Sequence, residues 1–133
     1  MWVFTETGFF SVVAYDPSRD GLGVPAPAGA ATDELLLARA RVKDDLAQML
    51  MALELPGSRA VSSQSADYPW RALITRQEWA RFLTLETDRL DYVNFKARVE
   101  ERSDAGRHDV YMQVWWALRG LRDPGVVRET PSA

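Results

Sequence analysis

Six consecutive residues, Asp91-Tyr92-Val93-Asn94-Phe95-Lys96, bring together an acid, a phenol, an amide, an aromatic ring and an amine. A second Asp-Tyr step stands at Asp67-Tyr68-Pro69 with Arg71 close behind, and the only histidine of the chain is His108. Asp67, Tyr68, Arg71, Asp91, Tyr92, Asn94, Lys96 and His108 therefore form the candidate ligand or partner patch. Converged on one pocket, Tyr68, Arg71, Tyr92, Asn94, Lys96 and His108 would suit a small anionic ligand, because cationic and amide donors give charge-assisted hydrogen bonds. Each residue also has a purely structural role open to it. Asp67 can hold the turn before Pro69, Asp91 or Asn94 can cap a helix, and the tyrosines can bury their rings while keeping their hydroxyls wet.

Catalysis asks for more than this set offers. A lone histidine excludes a multi-histidine metal site. Neighbours on a helix point about 100° apart, so Asp109 is badly placed to orient His108 as a general base. Lys96 would need burial to become a nucleophile. The acid pairs Asp44-Asp45, Asp88 with Asp91, and Glu100-Glu101 lack the spacing of a calcium loop. No catalytic residue, metal or cofactor is assigned, and the balance leans away from an enzyme. A small hydrolase or lyase built on His108, Tyr92 and Lys96 is the third reading.

A basic face is the remaining constellation. Arg39 and Arg41 share one face of a strand, and Arg71 occupies the matching position of a second strand. Arginines and aromatics on an open sheet face can clamp single-stranded nucleic acid. Trp70, however, falls on the strand face opposite Arg71, and no glycine-rich phosphate loop is present. A net charge of −3 further disfavours nucleic acid, which stands as the alternative.

The elements that must position these residues can be read in order. Residues 2–5 and 9–15 are strand-like, with Gly8 suited to the reversal between them. Residues 16–33 are rich in Gly, Pro and Ala and read as a mobile loop with little to bury. A strand over 34–42 places Leu36, Ala38, Ala40 and Val42 on a core face and Leu35, Leu37, Arg39 and Arg41 on the other. Leu46, Met49, Leu50 and Leu53 mark an amphipathic helix stopped by Pro56-Gly57. Residues 59–64 form a weak strand and 70–75 a stronger one. Thr75 and Glu78 fit a capping box that opens a helix to about Leu90, with Trp79, Phe82 and Leu83 facing the core. A helix from Asp91 or Asn94 follows, and another from near His108 to Leu121. The last is apolar around more than half its circumference, so Tyr111, Trp115 and Trp116 become candidate interface residues.

An internal echo links Arg39-Ala40-Arg41-Val42 to Arg71-Ala72-Leu73-Ile74, and Asp45–Leu50 positions to 78–83. It allows two ββα units. The class is α+β: an antiparallel sheet of about four or five strands, helices on one face, and two further C-terminal helices.

Composition sets the frame. With 133 residues, 47% hydrophobic and 26% charged, the chain can bury about two-thirds of its unfolded surface. One domain over 1–125 with a frayed tail at 126–133 is expected. The absence of cysteine excludes disulfides, thiolate zinc sites and cysteine nucleophiles. No basic, apolar leader opens the sequence and no run approaches the ~20 apolar residues of a membrane span, so no membrane partner and a cytoplasmic location are expected.

Five stretches together carry a resemblance: Trp2-Val3-Phe4-Thr5 through Gly8-Phe9-Phe10-Ser11-Val12-Val13; Leu35-Leu36-Leu37-Ala38-Arg39-Ala40-Arg41; Asp67-Tyr68-Pro69-Trp70-Arg71; Asp91-Tyr92-Val93-Asn94-Phe95-Lys96; and His108-Asp109-Val110-Tyr111-Met112-Gln113-Val114-Trp115. The chain resembles a family of small uncharacterised bacterial proteins over most of its length except 16–33. The resemblance implies a bacterial origin and a shared fold, and it carries over no functional residue. The expectation is a non-catalytic binding or protein-interaction module, acting as a homo-oligomer or with a protein partner.

Overall fold

The computed structural model describes residues 1–20, 23–102 and 105–123, so the tail at 126–133 lies outside the described residues. Five strands form one antiparallel sheet: β1 (Trp2–Phe4), β2 (Phe9–Ala14), β3 (Leu35–Ala40), β4 (Val61–Ser62) and β5 (Trp70–Thr75), in the order β1-β2-β3-β5-β4. The helices are α1 (Pro17–Asp20), α2 (Lys43–Ala52), α3 (Arg76–Asp88), α4 (Phe95–Arg102) and α5 (Ala105–Leu118). The fold is α+β, with α4 and α5 as the two C-terminal helices. The chain divides into two compact units, Met1–Asp91 with the sheet and Tyr92–Ala133 with α4 and α5. No helix among the described residues is long and apolar enough to cross a membrane.

One sheet face carries the main core. Phe10 and Val12 of β2, Leu36, Ala38 and Ala40 of β3, and Ala72 and Ile74 of β5 alternate onto it. They meet Leu46, Met49, Leu50 and Leu53 of α2 and Trp79 and Phe82 of α3, as the helical spacing requires. Phe10, Trp79 and Phe82 make a ring cluster with centroids 5.4–6.2 Å apart. Val42 does not join this face and is 45% exposed. Strand pairing stops at Ala40↔Trp70, and Val42 is already the residue that caps α2, so the two-residue alternation has ended before it.

The other sheet face is divided. Leu35, Leu37 and Leu73 are buried there, with Val13, Tyr15, Val24 and Ala30 packed against them. The described part of 16–33 therefore has something to bury, contrary to what its composition suggests. Burying Leu37 and Leu73 in full stabilises the unit by ~1.5–3 kcal/mol per side chain. Arg76 Nε donates to the Asp33 carbonyl at 3.0 Å and Arg71 lies 3.8 Å from Asp20, which ties this segment at both ends. The remaining half of this face, toward β1 and the far ends of β2 and β3, carries aromatic and arginine side chains.

Helix boundaries have specific causes. Thr75 Oγ1 accepts from Glu78 N–H at 3.0 Å and Glu78 Oε1 accepts from Thr75 N–H at 2.9 Å, the expected capping box. At the end of α2, Leu55 N–H donates to Leu50 O and Glu54 N–H to Met51 O, a Schellman closure. Glu54 occupies its left-handed position at φ 57°. The helix stops there, before Pro56-Gly57. Gly8 also serves differently from the expectation. It is absent from the positive-φ residues, and a Cβ on it would sit 2.4 Å from Asp45 Cγ. Space, not backbone freedom, requires glycine at this turn.

The internal echo has a geometric counterpart. Arg39 and Arg71, equivalent under the 32-residue offset, sit directly opposite each other in the β3–β5 ladder. Ala38↔Ala72 and Ala40↔Trp70 flank them symmetrically. A local two-fold through the Arg39–Arg71 pair therefore relates the two central strands.

Candidate functional site

Ladder register places the chemistry of the uncovered half-face. Trp2↔Ser11, Ser11↔Arg39 and Arg39↔Arg71 form one row across four strands. Phe4↔Phe9 forms the adjacent row. Paired residues project to the same side of a sheet, so Trp2, Phe4, Phe9, Ser11, Arg39 and Arg71 share a face. Tyr68, just before β5, brings its ring to it: Phe9 and Tyr68 are 6.2 Å apart, and the guanidinium carbons of Arg39 and Arg41 lie 4.8 and 4.7 Å from the Tyr68 centroid. Phe4 stacks on Phe9 at 4.5 Å, and Trp2 meets Phe9 edge-on at 6.2 Å. The Tyr68 ring is buried, whereas Trp2 is 69% exposed.

The three arginines are held differently. Arg39 NH2 donates to the buried Ser11 Oγ at 2.7 Å. Arg71 Nε donates to the Tyr68 carbonyl at 3.2 Å and its NH1 faces Asp20. The ladder sets these two like charges directly opposite each other, and each has hydrogen-bond partners of its own. Arg41 is exposed and is held only by the Tyr68 ring among the interactions of the described residues. Neither Arg39 nor Arg41 has a carboxylate within 4 Å among the described residues. A chain of net charge −3 thus carries a locally cationic, ring-rich surface.

The eight sequence-derived patch residues fall on both units. In the first, Tyr68 and Arg71 belong to the face just built, Asp67 is exposed beside them in sequence, and Asp91 is exposed at its end. In the second, Asn94 caps α4: its Oδ1 accepts from Ala97 N–H at 3.0 Å. This settles the helix start, and Tyr92 lies before it with its ring 5.9 Å from Phe95 and 5.2 Å from the Arg98 guanidinium. Lys96 places its ammonium 4.4 Å from the Trp115 centroid, a cation–π contact. His108 Nδ1 is 3.7 Å from Asp109 Oδ1, beyond hydrogen-bond reach. No group of three or more His, Asp or Glu among the described residues could hold a metal ion.

Of the interface candidates, Tyr111 is buried, stacks on Phe95 at 5.8 Å and accepts from Arg107 NH1 at 3.1 Å. Trp115 is half-buried between Lys96 and Arg119, and Trp116 is 54% exposed. Val110 and Leu118 are exposed as well.

Sequence reasoning missed Trp2, Phe4 and Phe9 as residues on the face of the arginines. The signal was present in the alternation of the first hairpin, but Trp70, the aromatic nearest Arg71, faces the other way. Elsewhere, the Glu78 carboxyl is pushed up by burial, yet the Thr75 N–H and Arg59 guanidinium outweigh that and hold it below its ordinary value. Arg59 NH1 reaches both carboxylate oxygens at 2.8 and 2.9 Å. Compared with protein-family models, with curated proteins and with solved structures, the chain matches none.

Proposed function

We propose that this chain is a non-catalytic binding module, and that its binding surface is the uncovered half of the second sheet face. The observation that carries this reading is a run of contacts on one face, from the exposed Trp2 ring through Phe9 and Tyr68 to the exposed Arg41. An exposed tryptophan and a cation with no carboxylate partner on one face are the composition of a binding hot spot. Of the residues considered for catalysis, Lys96 turns its ammonium to an indole, and Asp109 stands 3.7 Å from His108, too far to orient it. A Trp2→Ala/Arg41→Ala double variant, both positions being exposed, should keep the melting temperature of the parent. It should lose partners that the parent captures in a cross-linked pull-down. Equal capture by parent and variant would refute the assignment of this surface.

Self-association is a second reading, favoured by the exposed Val110, Trp116 and Leu118 of α5. Sedimentation velocity at tens of micromolar tests it, and a single monomer boundary removes it. A cytoplasmic location and a bacterial source belong to the same proposal, and fractionation of the tagged chain tests the former.

A further inference from the structure

Two guanidiniums with no carboxylate against them, a third that faces Asp20, two ring centroid steps of 6.2 Å and an indole 69% exposed share this half-face. With neighbouring strands ~4.8 Å apart, the row from Trp2 to Arg71 crosses about 14 Å, longer than one nucleotide and short for a duplex footprint. We infer that this surface takes up a short single-stranded nucleic acid, with a base stacked on Trp2 and phosphates seated along Arg41, Arg39 and Arg71. The inference rests on reading this face as the binding surface.

Charge and ring chemistry select the ligand together. Asp20 offsets part of Arg71, while Arg39 and Arg41 have no carboxylate against them, so the occupant is anionic. An acidic polypeptide would satisfy the cations alone. It gives no reason for an exposed indole on the same face, whereas every nucleobase has a π face to stack there. A duplex hides its base faces, so only unstacked bases can use the rings. The chain's charge of −3 opposes long-range capture, which makes the contacts local and sensitive to salt.

The test is fluorescence anisotropy of the full chain with a labelled twelve-residue thymidine oligonucleotide, from 20 mM salt upward. Three phosphate contacts predict a slope of log affinity against log salt of about −2, and Arg41→Ala should flatten it by about 0.7. Trp2→Ala should weaken binding about five- to 150-fold while leaving the slope unchanged. Poly-glutamate of matched charge should compete poorly. The inference is overturned by absence of binding at 20 mM salt, or by a Trp2→Ala variant that binds as well as the parent. Equal displacement by poly-glutamate also overturns it, yet leaves the binding surface standing if Arg41→Ala weakens that competitor. If neither variant alters the binding of oligonucleotide or poly-glutamate, the surface assignment itself fails.

Discussion

Gly8→Ala is the sharpest perturbation the fold offers. An ideal Cβ on Gly8 would lie 2.4 Å from Asp45 Cγ, 2.6 Å from its Cβ and 2.7 Å from its Oδ2. Asp45 cannot simply swing aside, because it is 3% exposed and its Oδ2 accepts from Phe9 N–H at 3.0 Å. Overpacking costs ~1–3 kcal/mol. Loss of a hydrogen bond to a charged acceptor adds ~1.5–3 kcal/mol. The expected loss is therefore about 2.5–6 kcal/mol, a large part of the ~5–15 kcal/mol that a domain has. At about 4 °C per kcal/mol for a chain of this length, the melting temperature should fall by roughly 10–24 °C. Calorimetry or thermal circular dichroism measures this. The mechanism makes a stricter demand on the double variant. Asp45→Gly removes all three of these atoms, so Gly8→Ala added to it should cost little more than Asp45→Gly alone. A Gly8→Ala protein within ~0.5 kcal/mol of the parent, or strict additivity in the double variant, would refute the reasoning.

Other expectations follow from single contacts. Glu54→Gly should stabilise the protein by roughly 1 kcal/mol in urea unfolding, since it relieves a left-handed residue at φ 57° and sacrifices only an exposed 3.7 Å pair with Arg81. Asn94→Ala should cost α4 about 1 kcal/mol, read as faster amide exchange at Ala97. For Glu78 the folded carboxyl is held below its ordinary value near 4.5, so its contribution is present above that value and is lost as pH falls through the folded one. The stability difference between parent and Glu78→Gln should therefore shrink as unfolding is measured from pH 6 down to pH 3, and a constant difference would contradict the assignment.

Much of the first unit was legible because strand and helix periods differ. Leu46, Met49, Leu50 and Leu53 repeat at helical spacing and all four are buried. Ala38, Ala40, Ala72 and Ile74 alternate and are buried as well. The Thr75–Glu78 capping box was readable because both partners lie three residues apart in sequence. What escaped depends on residues far apart. Nothing local in Glu54 marks it as a helix stop, since its left-handed conformation is imposed by the Schellman bonds. Nothing local in Gly8 reveals Asp45, thirty-seven residues away, as the reason for its size. Val24 and Ala30 look like filler until the ladder presents Leu35, Leu37 and Leu73 beneath them.

The candidate face escaped for a related reason. Arg39, Arg41 and Arg71 could be assigned to one side of the sheet from alternation within their own strands. The aromatic complement comes from β1 and β2, and their relation to β3 is fixed by register, which no single strand encodes. A slip of one residue between β2 and β3 would send Phe9 and Ser11 to the core and bring Phe10 and Val12 out. That slip is prevented by Phe10, fully buried against Trp79 and Phe82, and by the Arg39–Ser11 hydrogen bond at 2.7 Å on the opposite face. The same register that completes the core therefore brings the rings onto the face of the arginines, and the proposed surface is a consequence of how the first hairpin docks.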